Sequence, residues 1–158
     1  GTMHIHILAV GRYGRGRGHA AEKDLYEQFA RRIVPQPTLI EVEEKRPLPV
    51  ADRMRREADL LLGAVPEGAF VIALDEKGRQ FSSIDFAQRL GKLRDEGRRA
   101  LAFVIGGADG LDASVRNAAD LMISLGSMTW PHMLVRALIA EQIFRAQSIL
   151  SGHPYHRE

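Results

Sequence analysis

Five short apolar runs, His4–Val10, Thr38–Val42, Ala69–Leu74, Ala100–Ile105 and Leu121–Leu125, alternate along this chain with segments of helical spacing. No other feature constrains the fold as much. Ala69–Leu74 and Ala100–Ile105 are continuously apolar, as strands buried on both faces are. Between the runs, Ala21, Leu25, Tyr26, Phe29, Ala30 and Ile33 recur at helical spacing over His19–Ile33, until Pro35 and Pro37 stop the pattern. Asp52 is placed to cap a second helix through about Val65, with Met54, Ala58, Leu61 and Leu62 on its inner face. Ser82-Ser-Ile-Asp85 offers a capping box for a third, carried by Phe86, Leu90 and Leu93 to Gly97. A short helix over Asp112–Ala119 and a long one from Pro131 to about Leu150 complete the series. Strands alternating with helices through short connections predict an α/β fold, a mainly parallel sheet of about five strands flanked by helices. With 158 residues, no internal repeat and no linker, one domain over 3–158 is expected, Gly1 and Thr2 reading as a cloning remnant.

Several chemistries are excluded directly. With no cysteine, there is no disulfide framework, no cysteine zinc site and no thiol nucleophile. The apolar stretches are too short to span a bilayer, and Met3-His-Ile-His-Ile lacks the pattern of a signal peptide, so a cytoplasmic protein without a membrane partner is expected. No GxxxxGK[ST], GxSxG or HExxH occurs. Gly14-Arg-Gly16-Arg-Gly18 follows a strand but misses the GxGxxG spacing of a dinucleotide fold. His4-x-His6 and His153-x-x-His156 lack acidic or sulfur partners at ligand spacing, so no metal is expected. Net charge is only +2, yet the 22 basic residues are 18 Arg and 4 Lys, and Arg suits bidentate contacts with phosphate and bases. A GC-rich genome produces the same bias.

Ligands of open parallel sheets bind beyond the carboxyl ends of the strands. Three such ends carry suitable residues: Leu74-Asp75, Gly106-Gly107 and Leu125–Trp130. On the dipeptide alone Gly106-Gly107 reads first as a tight strand-to-helix turn and second as a close approach to a ligand. The loop bearing Arg12, Arg15 and Arg17 either closes over an RNA backbone or is a solvated connection. The last helix is apolar over much of its circumference, which fits a subunit interface or a central core helix; Glu141 and Arg145 stand at ion-pair spacing on it. The ending His153-Pro-Tyr-His-Arg-Glu158 collects groups that titrate, stack and grip phosphate, in a position that usually frays.

Ala73-Leu74-Asp75, Ile105-Gly-Gly-Ala-Asp-Gly-Leu111, Leu125-Gly-Ser-Met-Thr-Trp-Pro-His132, Arg136, Glu141-Gln142, Arg145-Ala146 and the ending His153–Glu158 together resemble the RlmH-type ribosomal RNA methyltransferases of the SPOUT class. The resemblance covers nearly the whole chain. It implies methylation of N3 of a pseudouridine in large-subunit (23S) ribosomal RNA with S-adenosylmethionine as donor, a homodimer, and a C-terminal trefoil knot. It places the donor against Leu74, Gly106, Leu125, Gly126, Ser127, Met128, Thr129 and Trp130. It makes Tyr155, His156 and Arg157 the candidate catalytic group, with the tail acting on the partner's site and His156 or Tyr155 positioning or deprotonating the base. Arg136, His153, Arg12, Arg15 and Arg17 become candidate RNA contacts, on the ribosome or the large subunit. Two alternatives remain: a related methylase acting on another RNA such as tRNA, and a ribosome-associated RNA-binding protein without catalysis.

Overall fold

The computed structural model describes residues 2–14 and 18–157. Its elements are β1 (His4–Val10), α1 (Ala20–Ala30), β2 (Thr38–Val42), α2 (Val50–Gly63), β3 (Phe70–Gln80), α3 (Ser83–Asp95), β4 (Ala100–Ile105), α4 (Ala113–Ala118), β5 (Leu121–Ser124) and α5 (His132–Ser151). The strands form one sheet in the order β2-β1-β4-β3-β5, every pairing parallel.

Side chains alternate across a strand, and the two faces are covered by different helices. Ile5, Ile7, Ala9, Ile72, Leu101 and Phe103 join one core with Tyr26 of α1, Phe86 and Leu90 of α3, and Ile139 and Ile143 of α5. Leu8, Val10, Val71, Ala73, Ala102 and Val104 join a second core with Ala58 and Leu61 of α2 and Val115 of α4. The continuous apolar character of β3 and β4 is thereby explained, since both faces of each are covered.

The helix ends mostly follow local chemistry. Ser82 caps α3, its hydroxyl accepting from the Asp85 amide at 3.0 Å, and Asp112 caps α4 by accepting from the Ser114 amide. Asp52, expected to cap α2, instead falls in its first turn, because Pro49 already occupies the cap with φ −54° and ψ 152°. There its charge still favours the helix N-terminus. The largest departure is β3. Past Leu74 the chain bulges out through Asp75–Gly78 and rejoins β5, so that Leu74 and Arg79 both stand opposite Ile123. A polar extension beside a short edge strand has none of the apolar signal from which strands are read.

Beyond β5, at one edge of the sheet, the chain must travel back over the ends of β3 and β4 to start α5 beside β1. Three strand spacings amount to about 14 Å. Arg136 anchors the arrival. Its guanidinium has no exposed surface; it donates to Glu41 Oε2 at 2.5 Å and to the carbonyls of Val10 at 3.2 Å and Gly11 at 2.8 Å, and lies 4.3 Å over the Tyr13 ring. The Tyr13 amide in turn donates to Glu41 Oε2, and its hydroxyl donates to the Met133 carbonyl. Burial pushes the Tyr13 phenol up to about 12, so it stays neutral. The expectation that Arg136 contacts RNA is therefore corrected: a guanidinium enclosed on all sides and committed to internal acceptors does not reach a phosphate. Replacing it by leucine leaves Glu41 and two carbonyls without their donor, and Arg136→Leu is expected to cost about 3 kcal/mol in urea unfolding, with Arg12→Leu, on the exposed side of the same loop, unchanged.

Candidate active site

At the carboxyl ends of β3, β4 and β5 lies a cleft of about 710 Å³. Its walls come from three segments: Leu74–Lys77 where β3 bulges, Ile105–Leu111 after β4, and Leu125–Val135 leading into α5. Met54 of α2 and Arg116 of α4 close one side. A volume of this order suits a small organic cofactor.

The middle wall is backbone. A Cβ on Gly106 would stand 2.7 Å from the Gly110 carbonyl, so only glycine lets these two stretches of the loop lie against each other. Gly107 and Gly110 pair in an isolated antiparallel bridge, with the Gly110 amide donating to the Gly107 carbonyl at 3.0 Å. The third wall is fastened where it leaves β5: the Ser124 hydroxyl accepts from the Gly126 amide and donates to its carbonyl, both at 3.0 Å. Beyond that point it presents Met128, 77% exposed, and Trp130, 42% exposed.

Two of the acidic side chains that line it are paired. Asp75 accepts from the Lys77 amide and lies 3.8 Å from Arg116, and Asp109 is bonded by Arg53. Arg53 also faces Glu57, whose carboxyl is raised above the usual range by burial, against the pull of Arg53. His132, inside the cleft, is lowered from the ordinary histidine value by burial and by the nearby Arg136 and His19, which keeps its ring neutral at pH 7. The ionic rim, Met54 and His132 were not read from sequence; only their place beside the glycine loop and Pro131 could have suggested them.

The chain end does not fray. Gly152 takes φ 77° as the left-handed stop of α5, the His153 amide bonds back to the Ser148 carbonyl, and the tail lies along the helix. Tyr155 packs edge-on against Phe144 with ring centroids 4.6 Å apart, between the guanidinium groups of Arg32 at 5.2 Å and Arg145 at 4.8 Å. Its hydroxyl donates to Glu141 Oε1 at 3.2 Å, and burial followed by the Glu141 charge raises the phenol above its ordinary value. Glu141 is held by Arg145 at 2.6 Å, the ion pair expected from their spacing, and Gln142 donates to its other oxygen. Arg145 also reaches His156 Nδ1 at 3.1 Å.

The expected donor-contacting residues Leu74, Gly106, Leu125, Gly126, Met128, Thr129 and Trp130 all line the one cleft, while Ser127 lies in the same loop without lining it. Tyr155, His156, Arg157 and His153 are gathered on α5, away from it. Glu141, which touches the tail, is nine residues along α5 from His132, or about 14 Å. Arg12 is exposed beside Gly11, whose Cβ position is 3.8 Å from His132 Nε2, so the first loop borders the cleft. Arg15 and Arg17 lie outside the described residues. Among the described residues, no group of three or more His, Asp or Glu side chains is placed to hold a metal ion, and no helix is long and apolar enough to cross a membrane.

A family model described as "Predicted SPOUT methyltransferase" matches residues 3–156. Proteins called "Ribosomal RNA large subunit methyltransferase H" from Paramagnetospirillum magneticum and Rhodospirillum centenum are 58% and 52% identical over 155 residues, covering 98% of this chain and 99% of theirs. A solved structure of a probable methyltransferase from Bordetella pertussis superposes with a TM-score of 0.56 at 14% identity, over 91% of this chain and 96% of that one, a likeness of fold.

The glycine wall has a direct test. Gly106→Ala drives a methyl group into the Gly110 backbone and is expected to lower the melting temperature by about 3–8 °C and to abolish any thermal shift produced by S-adenosylmethionine. Gly63→Ala, whose added methyl faces open space, serves as the control that leaves both intact.

Proposed function

The chain belongs to the SPOUT methyltransferase family, and from that membership we propose that it transfers a methyl group from S-adenosylmethionine to N3 of a pseudouridine in large-subunit ribosomal RNA. The observation that carries the reading is the cleft itself. Seven of the eight residues that sequence resemblance assigns to the donor converge on it, from three segments far apart in the chain.

The cleft fits the donor. Its floor is the Gly106–Gly110 backbone, and Leu74, Ile105, Leu111, Leu125 and Val135 provide apolar walls. When bound there, S-adenosylmethionine supplies an electrophilic methyl group on a sulfonium. That positive charge is lost on transfer, so weakly polar walls favour the transition state over the bound donor. Asp75 and Asp109 are paired with Arg116 and Arg53, and burial shifts His132 away from its charged form. Arg12 serves the RNA backbone from beside the cleft, and the sequence offers Arg15 and Arg17 for the same role.

A homodimer belongs to the same reading. The tail lies well removed from the cleft of its own chain, and Leu134, Val135 and Leu138 form with Glu141 and Arg145 a half-buried stripe on α5. Packing that stripe against a second copy brings each tail toward the other's cleft, where Arg157 and His153 contact substrate. The C-terminal trefoil knot of the family fits the return of the chain from β5 across the strand ends. Residues 3–158 act as one domain, in the cytoplasm where ribosomes are found.

Mass spectrometry of ribosomal RNA from cells lacking the gene is expected to show loss of one methylpseudouridine, restored by the wild-type gene; an unchanged RNA overturns the reading. Removing residues 151–158 is expected to abolish methylation while the stabilisation by donor, about 2.7 kcal/mol at a hundredfold excess over Kd, is retained. Methylation surviving that truncation overturns the role of the tail.

A further inference from the structure

Resting on the reading of the cleft as the donor site, we propose that Arg116 and Asp75 together take the amino-acid end of S-adenosylmethionine. Arg116 receives its carboxylate and Asp75 its ammonium group. None of the residues that sequence resemblance assigns to the donor carries a charge. The donor nevertheless ends in a zwitterion, and enclosing one against apolar walls and peptide groups alone is costly. The cleft therefore has use for a cation and an anion side by side. Of the charged side chains that line it, Glu76 and Lys77 stand exposed on the β3 bulge and Asp109 is bonded by Arg53. Asp75 and Arg116 remain, and they face each other where the bulge meets α4.

Their contact is loose. Arg116 Nη1 and Asp75 Oδ2 are 3.8 Å apart, beyond hydrogen-bond distance. The same Nη1 donates to the Leu111 carbonyl at 3.4 Å, while Nε and Nη2 have no hydrogen-bond partner among the described residues. With its side chain 36% exposed in the cleft wall, Arg116 is open to a ligand. Asp75 Oδ1 accepts from the Lys77 amide at 2.9 Å, which fixes the carboxylate and leaves Oδ2 as its unspent oxygen. A guanidinium edge matches a carboxylate with two parallel N–H bonds, and an ammonium on the adjoining carbon donates to the neighbouring Asp75. Binding thus exchanges one long internal contact for charge-assisted bonds to both partners.

The place suits the reaction. Arg116 and Met54 close the side of the cleft made by α4 and α2, whereas His132 and Val135 of α5 line the other. An amino-acid end anchored at α4 leaves the α5 side open to RNA. Carboxylate and ammonium keep their charges throughout the transfer, so the pair binds donor and transition state alike; it lowers KM and leaves kcat as it is.

The test compares two ligands of the full-length protein by titration calorimetry: S-adenosylhomocysteine, which carries the amino-acid end, and methylthioadenosine, which lacks it. Arg116→Gln is expected to weaken S-adenosylhomocysteine about tenfold and to leave methylthioadenosine within about twofold. Arg116→Lys, which keeps the charge, is expected to recover part of that loss. Asp75→Asn still accepts from the Lys77 amide and is expected to show the same selective loss. In methylation of ribosomes, Arg116→Gln raises KM for the donor about tenfold with kcat within about twofold. An equal loss for both ligands, as a merely structural role in seating α4 would give, overturns the proposal. So does unchanged affinity for S-adenosylhomocysteine in Arg116→Gln or in Asp75→Asn, or a fall in kcat at unchanged KM. A wild-type protein that binds neither ligand overturns the donor site itself, a different failure.

Discussion

A buried guanidinium needs acceptors around it, and Arg136, bonded through both terminal nitrogens, makes that need a constraint on the whole molecule. Its acceptors come from the end of β1, from β2 and from the first loop, while its own backbone belongs to α5. Those segments satisfy the charge only together. Once they do, the beginning of α5 is fixed above β1, and the segment between β5 and α5 has no route except across the ends of β3 and β4. The cleft is the space left under that crossing. One side chain with no exposed surface thus determines where a ligand can sit, although it does not line the cleft.

What the cleft offers follows from how it is made. Two of its three walls are loops held by backbone contacts, the Gly107–Gly110 bridge and the Ser124–Gly126 pair, so they present peptide groups and short apolar side chains in fixed positions. The third is the bulge of β3, tied by Asp75 to its own backbone and to Arg116. A donor whose charge disappears in the reaction gains from such surroundings, since an ion placed to bind the sulfonium would stabilise the ground state as well. On the proposed reading the charged groups that meet RNA are set outside the cleft, among them Arg12 and the tail.

The sheet was largely legible because burial on both faces leaves a continuous apolar signal, and all five strands begin within one residue of where that signal places them. Ser82 and Pro131 marked helix starts through chemistry local to a few residues. What escaped is what depends on distant partners. The second half of β3 is polar and is a strand only because β5 lies beside it. Arg136 looks from sequence like any arginine on a helix, and nothing within ten residues announces Glu41, 95 positions away. The last helix presented two readings, interface or core; its contacts with α1 and α3 make it a core helix on one face, while the opposite stripe stays half-buried. The tail was expected to fray because short termini gain little from ordering. Here Phe144 and two arginines supply an aromatic and cationic seat for Tyr155, which no local rule foresees.

The separation of cleft and tail along α5 has a chemical consequence. A helix of this length keeps the cleft and the tail of one chain apart, and on the proposed reading donor and nucleophile meet where a second copy presents its tail. On that reading methyl transfer depends on assembly as well as on binding. An imide nitrogen asks little of a base, because it ionises in mildly alkaline solution; it asks much of orientation, because its lone pair must point along the axis of the breaking bond. The hydrogen bonds from Ser83 through Gln142, Glu141 and Arg145 to Tyr155 and His156 hold the tail in one orientation.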